Sequence, residues 1–146
     1  MSTESFPRPR SIGARFEKRR IPLDTLAIPA RLEDLRSLKA GWLDGQGQAP
    51  SQDGLDWLSQ AFGQHYPEGL PLPFLYPSLE GGIQAEWSVE PKEASLNVDL
   101  LSRSGYWQSL DMETNVEESR ELDLADAEDW RWLAERIGQM AGGAAW

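Results

Sequence analysis

Gly81-Gly82-Ile83-Gln84-Ala85-Glu86-Trp87-Ser88-Val89 is the stretch from which the rest of the chain can be read. Ile83, Ala85, Trp87 and Val89 share one parity, while Gln84, Glu86, Ser88 and Glu90 share the other. Alternation with period two specifies a half-buried strand, because successive side chains of an extended backbone point to opposite faces. The paired glycines mark the turn that feeds it. Its apolar face needs a cover, which the flanking segments must supply.

Downstream, Glu90-Pro91-Lys92-Glu93 predicts a polar turn, and the chain then alternates again from Ala94 to Leu101. Leu96, Val98 and Leu100 face one way; Ser95, Asn97 and Asp99 face the other. Two alternating runs across a short turn predict a β-hairpin. Ser102-Arg103-Ser104-Gly105 is the next turn, and Tyr106 to Met112 continues the meander. Upstream, residues 70–79 are apolar but proline-rich, which confines them to an edge strand, since proline has no N–H for an interior ladder. The expected strands are therefore about 73–77, 82–89, 94–101 and 106–112. Residues 111–129 hold nine acidic side chains and few apolar ones. They read as a solvated loop leading to a capped helix, with a short strand near Glu118–Leu122 as the alternative.

Three helices are expected. Pro29 suits a first helical turn, and Leu32, Leu35, Leu38 and Trp42 fall within one arc, predicting a helix over about 30–40. The glycine-rich run Gly41-Trp42-Leu43-Asp44-Gly45-Gln46-Gly47 ends it. Ser51 is a good N-cap for a helix over about 52–64, with Leu55, Leu58, Ala61 and Phe62 as its apolar face. Asp123 or Asp126 caps the last helix, about 126–141, whose inward stripe is Trp130, Leu133, Ala134, Ile137 and Met140. Sequence-adjacent strands flanked by helices imply an α+β fold: an antiparallel meander of three to five strands with helices packed on one face. Residues 23–146 are expected to be one domain, preceded by a flexible basic arm over 1–22.

Composition narrows the chemistry. The chain has 146 residues, seven tryptophans and no cysteine, so disulfides, thiolate nucleophiles and cysteine metal sites are excluded. The absence of cysteine fits a cytoplasmic protein, and no apolar run is long enough to suggest a membrane span. Residues 1–20 carry six basic side chains (Arg8, Arg10, Arg15, Lys18, Arg19, Arg20) and two acidic ones, whereas residues 21–146 hold 8 basic and 22 acidic groups. A basic arm on an acidic body is the main charge asymmetry. The acidic body disfavours binding of a nucleic-acid backbone by the folded part.

Catalytic constellations are sparse. His65 is the single histidine, and its position at the end of the second helix is explained by the negative helix terminus. No metal, cofactor or catalytic set is expected. The polar face of the hairpin, Gln84, Glu86, Asn97 and Asp99, is the candidate for a cation or substrate, because carboxylates on adjacent strands can face one another at about 5 Å. Trp132 and Trp146 lie off the core stripes and are candidate partner-binding residues, with Arg15, Arg19 and Arg20. The alternative for Trp132 is stacking on Arg136, one turn on.

Gly41-Trp42, Asp44-Gly45, Gly47, Pro50-Ser51, then Gly81-Gly82-Ile83-Gln84 and Glu86-Trp87, resemble the recurring pattern of a group of small uncharacterised bacterial proteins, roughly GWDGxGAxPxS followed by GGIQxEW. The resemblance covers about residues 31–101; Leu43 is inserted before Asp44, and Gln48 stands where alanine is usual. It implies a binding or neutralising role beside toxin-like partners and identifies no catalytic residue. The expected function is a small cytoplasmic protein-binding accessory factor, antitoxin- or immunity-like, and not an enzyme. The alternatives are nucleic-acid binding through residues 8–20, or an enzyme or cation-binding protein using Glu86 and Asp99.

Overall fold

A computed structural model of the chain describes residues 27–142. The elements run in the order α1 (Ala27–Arg36), α2 (Gln52–His65), β1 (Phe74–Pro77), β2 (Ile83–Val89), β3 (Lys92–Asp99), β4 (Ser104–Asp111), β5 (Val116–Asp123) and α3 (Ala127–Ala141). The strands form one antiparallel sheet in the order β1-β2-β3-β4-β5. This is the α+β meander that the alternation of 83–89 requires.

Parity explains the layering. Ile83, Ala85 and Trp87 of β2 and Ala94, Leu96 and Val98 of β3 are all buried, together with Leu75, Trp107 and Leu122 of the other strands. They share one core with Ile28, Leu32 and Leu35 of α1, Leu55, Leu58 and Phe62 of α2, and Trp130, Leu133, Ile137 and Met140 of α3. All three helices therefore cover the same sheet face, and among the described residues no helix or strand covers the other.

The helix ends follow local chemistry. The Ser51 hydroxyl accepts from Gly54 N–H (3.0 Å), and the Asp126 carboxylate accepts from Glu128 N–H (2.9 Å), as N-caps do. The first helix, expected to reach residue 40, ends at Arg36. The Ser37 hydroxyl donates to the Asp34 carbonyl (2.9 Å), and Leu38 N–H donates to Leu35 O in a tighter turn (3.2 Å). Trp42 consequently leaves the helix face. Its ring lies over Gly47 instead, where an added Cβ would come within 2.7 Å of it, and its Nε1 donates to Gln48 O (2.9 Å). Asp44 and Gly45 both have positive φ (49° and 88°), and Leu43 and Gln46 exchange two backbone hydrogen bonds of 2.8 Å. That is a two-residue hairpin turn of the kind Asp-Gly favours.

The β2–β3 turn is shorter than expected. Val89 pairs with Lys92, so only Glu90 and Pro91, joined by a cis peptide, lie outside the strands. The third and fourth strands begin two residues earlier than expected, which places Lys92 on the inner face at 5% exposure. The acidic stretch expected to be a loop contains β5, a strand of eight residues. The alternative of a short strand near 118–122 falls inside it.

Tyr66, just past α2, ties the helices to the sheet. Its hydroxyl donates to Pro71 O, and Trp87 Nε1 donates to that same hydroxyl at 3.0 Å. Burial raises the Tyr66 pKa above the ordinary tyrosine value, an effect only partly opposed by the Trp87 bond. The folded protein then holds this proton more tightly than the unfolded chain. Stability from this group is complete below about pH 10 and declines as pH rises above it. Tyr66→Phe should flatten the alkaline limb of a stability–pH curve, measured by urea unfolding between about pH 9 and 11. An identical limb in the variant would assign the loss to other groups.

Candidate partner-binding face

The register lays out the uncovered face in rows. Phe74, Glu86, Ser95, Gln108 and Ser119 lie side by side across the five strands, and Tyr76, Gln84, Asn97, Tyr106 and Glu121 form the next row. Beyond the second row lie Asp99, Ser104 and Asp123; on the other side of the first lie Ser88, Glu93, Leu110 and Glu117. Part of this surface is a broad, shallow depression walled by Phe74, Glu86, Tyr106 and Gln108.

Its charge is one-sided. Glu86, Glu93, Asp99, Glu117, Glu121 and Asp123 point to this face, and no lysine or arginine of the five strands does. Arg120 and Lys92 have the opposite parity. Phe74 is 65% exposed, Tyr76 43% and Tyr106 40%, so three aromatic rings stand among the carboxylates. Rings and carboxylates together suit guanidinium and ammonium groups, which pair with one and stack on the other.

All four residues expected on the polar sheet face are there, but not in the expected arrangement. Gln84 is opposite Asn97, and Gln84 Nε2 donates to Glu86 Oε2 at 2.6 Å. Glu86 is opposite Ser95, whereas Asp99 pairs with Ser104 on the far strand. The expectation that Glu86 and Asp99 could face one another is therefore corrected: they sit four strand positions apart. Asp99 Oδ1 accepts instead from Leu101 N–H (2.9 Å) and Ser102 N–H (3.2 Å), holding the β3–β4 turn. Among the described residues, no group of three or more His, Asp or Glu side chains is placed to hold a metal ion.

Trp132 is half-buried at the margin of the core rather than free. Arg120 stacks on its ring at 4.5 Å and Arg136 at 5.0 Å, while the ring meets Trp107 edge-on at 5.8 Å. Arg136 also pairs with Glu118 at 2.6 Å. The stacking on Arg136 was legible from helical spacing; Arg120 comes from a different element and was not. His65, the last residue of α2, stacks on Trp130 at 5.7 Å. Trp146, Arg15, Arg19, Arg20 and the basic arm lie outside the described residues.

The residues that sequence reading missed are Phe74, Tyr76, Tyr106 and the β5 acids Glu117, Glu121 and Asp123. For Tyr106 a signal existed: it neighbours the buried Trp107, so parity alone assigns it to the open face. No helix among the described residues is long and apolar enough to cross a membrane. In comparisons with known proteins, no family model, no curated protein and no solved structure matches this chain.

Proposed function

We propose that this chain is a small cytoplasmic protein-binding factor of accessory, antitoxin or immunity type, whose open sheet face engages a basic surface on its partner. The observation that carries the reading is the sheet face itself: among the described residues no helix or strand covers it, and the five strands turn six carboxylates and three exposed aromatic rings to it but no lysine or arginine. Such a face speeds encounter with a cationic partner and discourages other partners through like-charge repulsion. It also repels a phosphate backbone, which leaves nucleic-acid contact to residues 8–20 alone.

The test uses two central carboxylates, Glu86 and Glu93, both on the open face of strands away from the sheet edges. Glu86→Gln with Glu93→Gln should slow association with a polylysine probe by about tenfold at low ionic strength. The difference should fade near ~0.5 M salt, where the screening length is a few ångströms. Equal association rates for the variant and the parent protein at low salt would overturn the reading.

A further inference from the structure

The two edges of the sheet are not alike. At the β1 edge, Arg31 Nε donates to Leu75 O (2.9 Å), so a side chain of α1 already occupies an outward carbonyl. Pro73 precedes the strand and Pro77 ends it, and neither has an N–H to offer. That edge has little left to offer an added strand.

The β5 edge is different. Leu124 N–H bonds Arg103 O (2.9 Å), one step beyond the Ser104–Asp123 pair, and Met112 N–H bonds Pro91 O (2.8 Å), which turns the odd-numbered residues of β4 toward β5; the even-numbered residues of β5 are therefore those facing β4. Asp123 N–H points away from β4 and donates to Asp129 Oδ2 (2.7 Å), as this parity requires. Asp123 O accepts from Asp126 N–H (3.0 Å), so that end of the edge is occupied. Glu117, Ser119 and Glu121 share the outward parity. Among the described residues, nothing hydrogen-bonds to their outward N–H and C=O groups.

We propose that β5 is the site at which a partner adds a strand, and that the strand is an extended basic segment with lysine or arginine at alternate positions. Glu117 and Glu121 present their carboxylates on the open face, on either side of Ser119. Basic residues opposite them would gain cross-strand charge pairs while the backbones complete the ladder. The same charges select against a second copy of this chain. Two β5 strands paired antiparallel about Ser119 would set Glu117 of one against Glu121 of the other. The edge thus rejects its own sequence and accepts a cationic one, which is specificity by repulsion as well as attraction.

The inference rests on the acidic-face reading and adds the mode of attachment. Because Ser119 N–H points outward, Ser119→Pro removes no hydrogen bond to β4 but blocks an incoming strand. The probe is a short peptide alternating lysine with threonine, followed by amide chemical shifts and hydrogen exchange of the full chain. Slowed exchange at Glu117, Ser119 and Glu121, with affinity lowered about tenfold in Ser119→Pro, is the expected result. A peptide methylated on alternate backbone nitrogens should lose affinity to a similar degree, and this arm stands even where the proline variant does not fold. Equal binding of the methylated peptide, with the effect of Glu86→Gln and Glu93→Gln retained, would overturn strand addition and leave the acidic face standing. No binding of the unmodified peptide at low salt would overturn both.

Discussion

Trp87→Ala is expected to lower the free energy of unfolding by about 3–5 kcal/mol, the range for deleting a large aromatic side chain from a packed core. Trp87 is 3% exposed and packs against Trp107 with ring centroids 6.0 Å apart. Its indole N–H reaches both Tyr66 Oη (3.0 Å) and Pro71 O (3.2 Å). The substitution therefore opens a cavity between sheet and helices and also removes a donor from the link between α2 and β2. Trp87→Phe keeps most of the volume and loses the N–H, so a smaller loss of about 1–2 kcal/mol is expected. Urea unfolding followed by far-ultraviolet circular dichroism measures both. Equal losses for the two variants would mean that the hydrogen bonds, and not the cavity, dominate.

Gly82→Ala is expected to cost about 3 kcal/mol, at the upper end for overpacking, because the obstacle is backbone. A Cβ at this position would lie 2.4 Å from Val98 O and 3.2 Å from Ser78 Oγ. Val98 belongs to the ladder opposite Ile83, so its carbonyl cannot move without parting β2 from β3. Gly82 is also fastened to the preceding turn, its N–H donating to Ser78 Oγ (2.9 Å) and its carbonyl accepting from Ser78 N–H (3.0 Å). Gly63→Ala is the matched control: it lies in α2, nothing stands within 4 Å of the added methyl, and helical propensity favours alanine. A fall in midpoint for Gly82→Ala alone is the expected outcome. Similar midpoints for both variants would show that strand entry tolerates a side chain.

The sequence and the fold agree wherever burial follows one strong period. The 83–89 strand, its partner strand and the stripe of α3 were all legible, because each buries a regular set of apolar positions. β5 was legible only as the alternative of a short strand near Glu118–Leu122, because its inner-face positions are Val116, Glu118, Arg120 and Leu122. Only Leu122 is buried and apolar. Glu118 pairs with Arg136, and Arg120 lies over Trp132, so groups from α3 complete what apolar side chains would otherwise do. No local pattern encodes that substitution. The first helix was placed about three residues late, since Leu38 and Trp42 continue its apolar period after the backbone has left it.

The candidate site divides along the same line. Alternation by itself put Gln84, Glu86, Asn97 and Asp99 on a shared polar face, since parity is a property of each strand alone. Which of them are neighbours depended on the β2–β3 turn, where two connecting residues instead of four fix the register and keep Glu86 away from Asp99. The acidity of the body was plain from composition, but its gathering with Phe74, Tyr76 and Tyr106 on the sheet face away from the helices required the order of all five strands. The α+β class and the inward face of the main strands were thus determined by the sequence itself, through side-chain period and the need to bury apolar surface. The Arg31 bond at the β1 edge, the β5 edge to which no other described residue bonds at 117–121, and the one-sided charge of the described strands between them were decided only by tertiary structure, because each joins residues far apart along the chain.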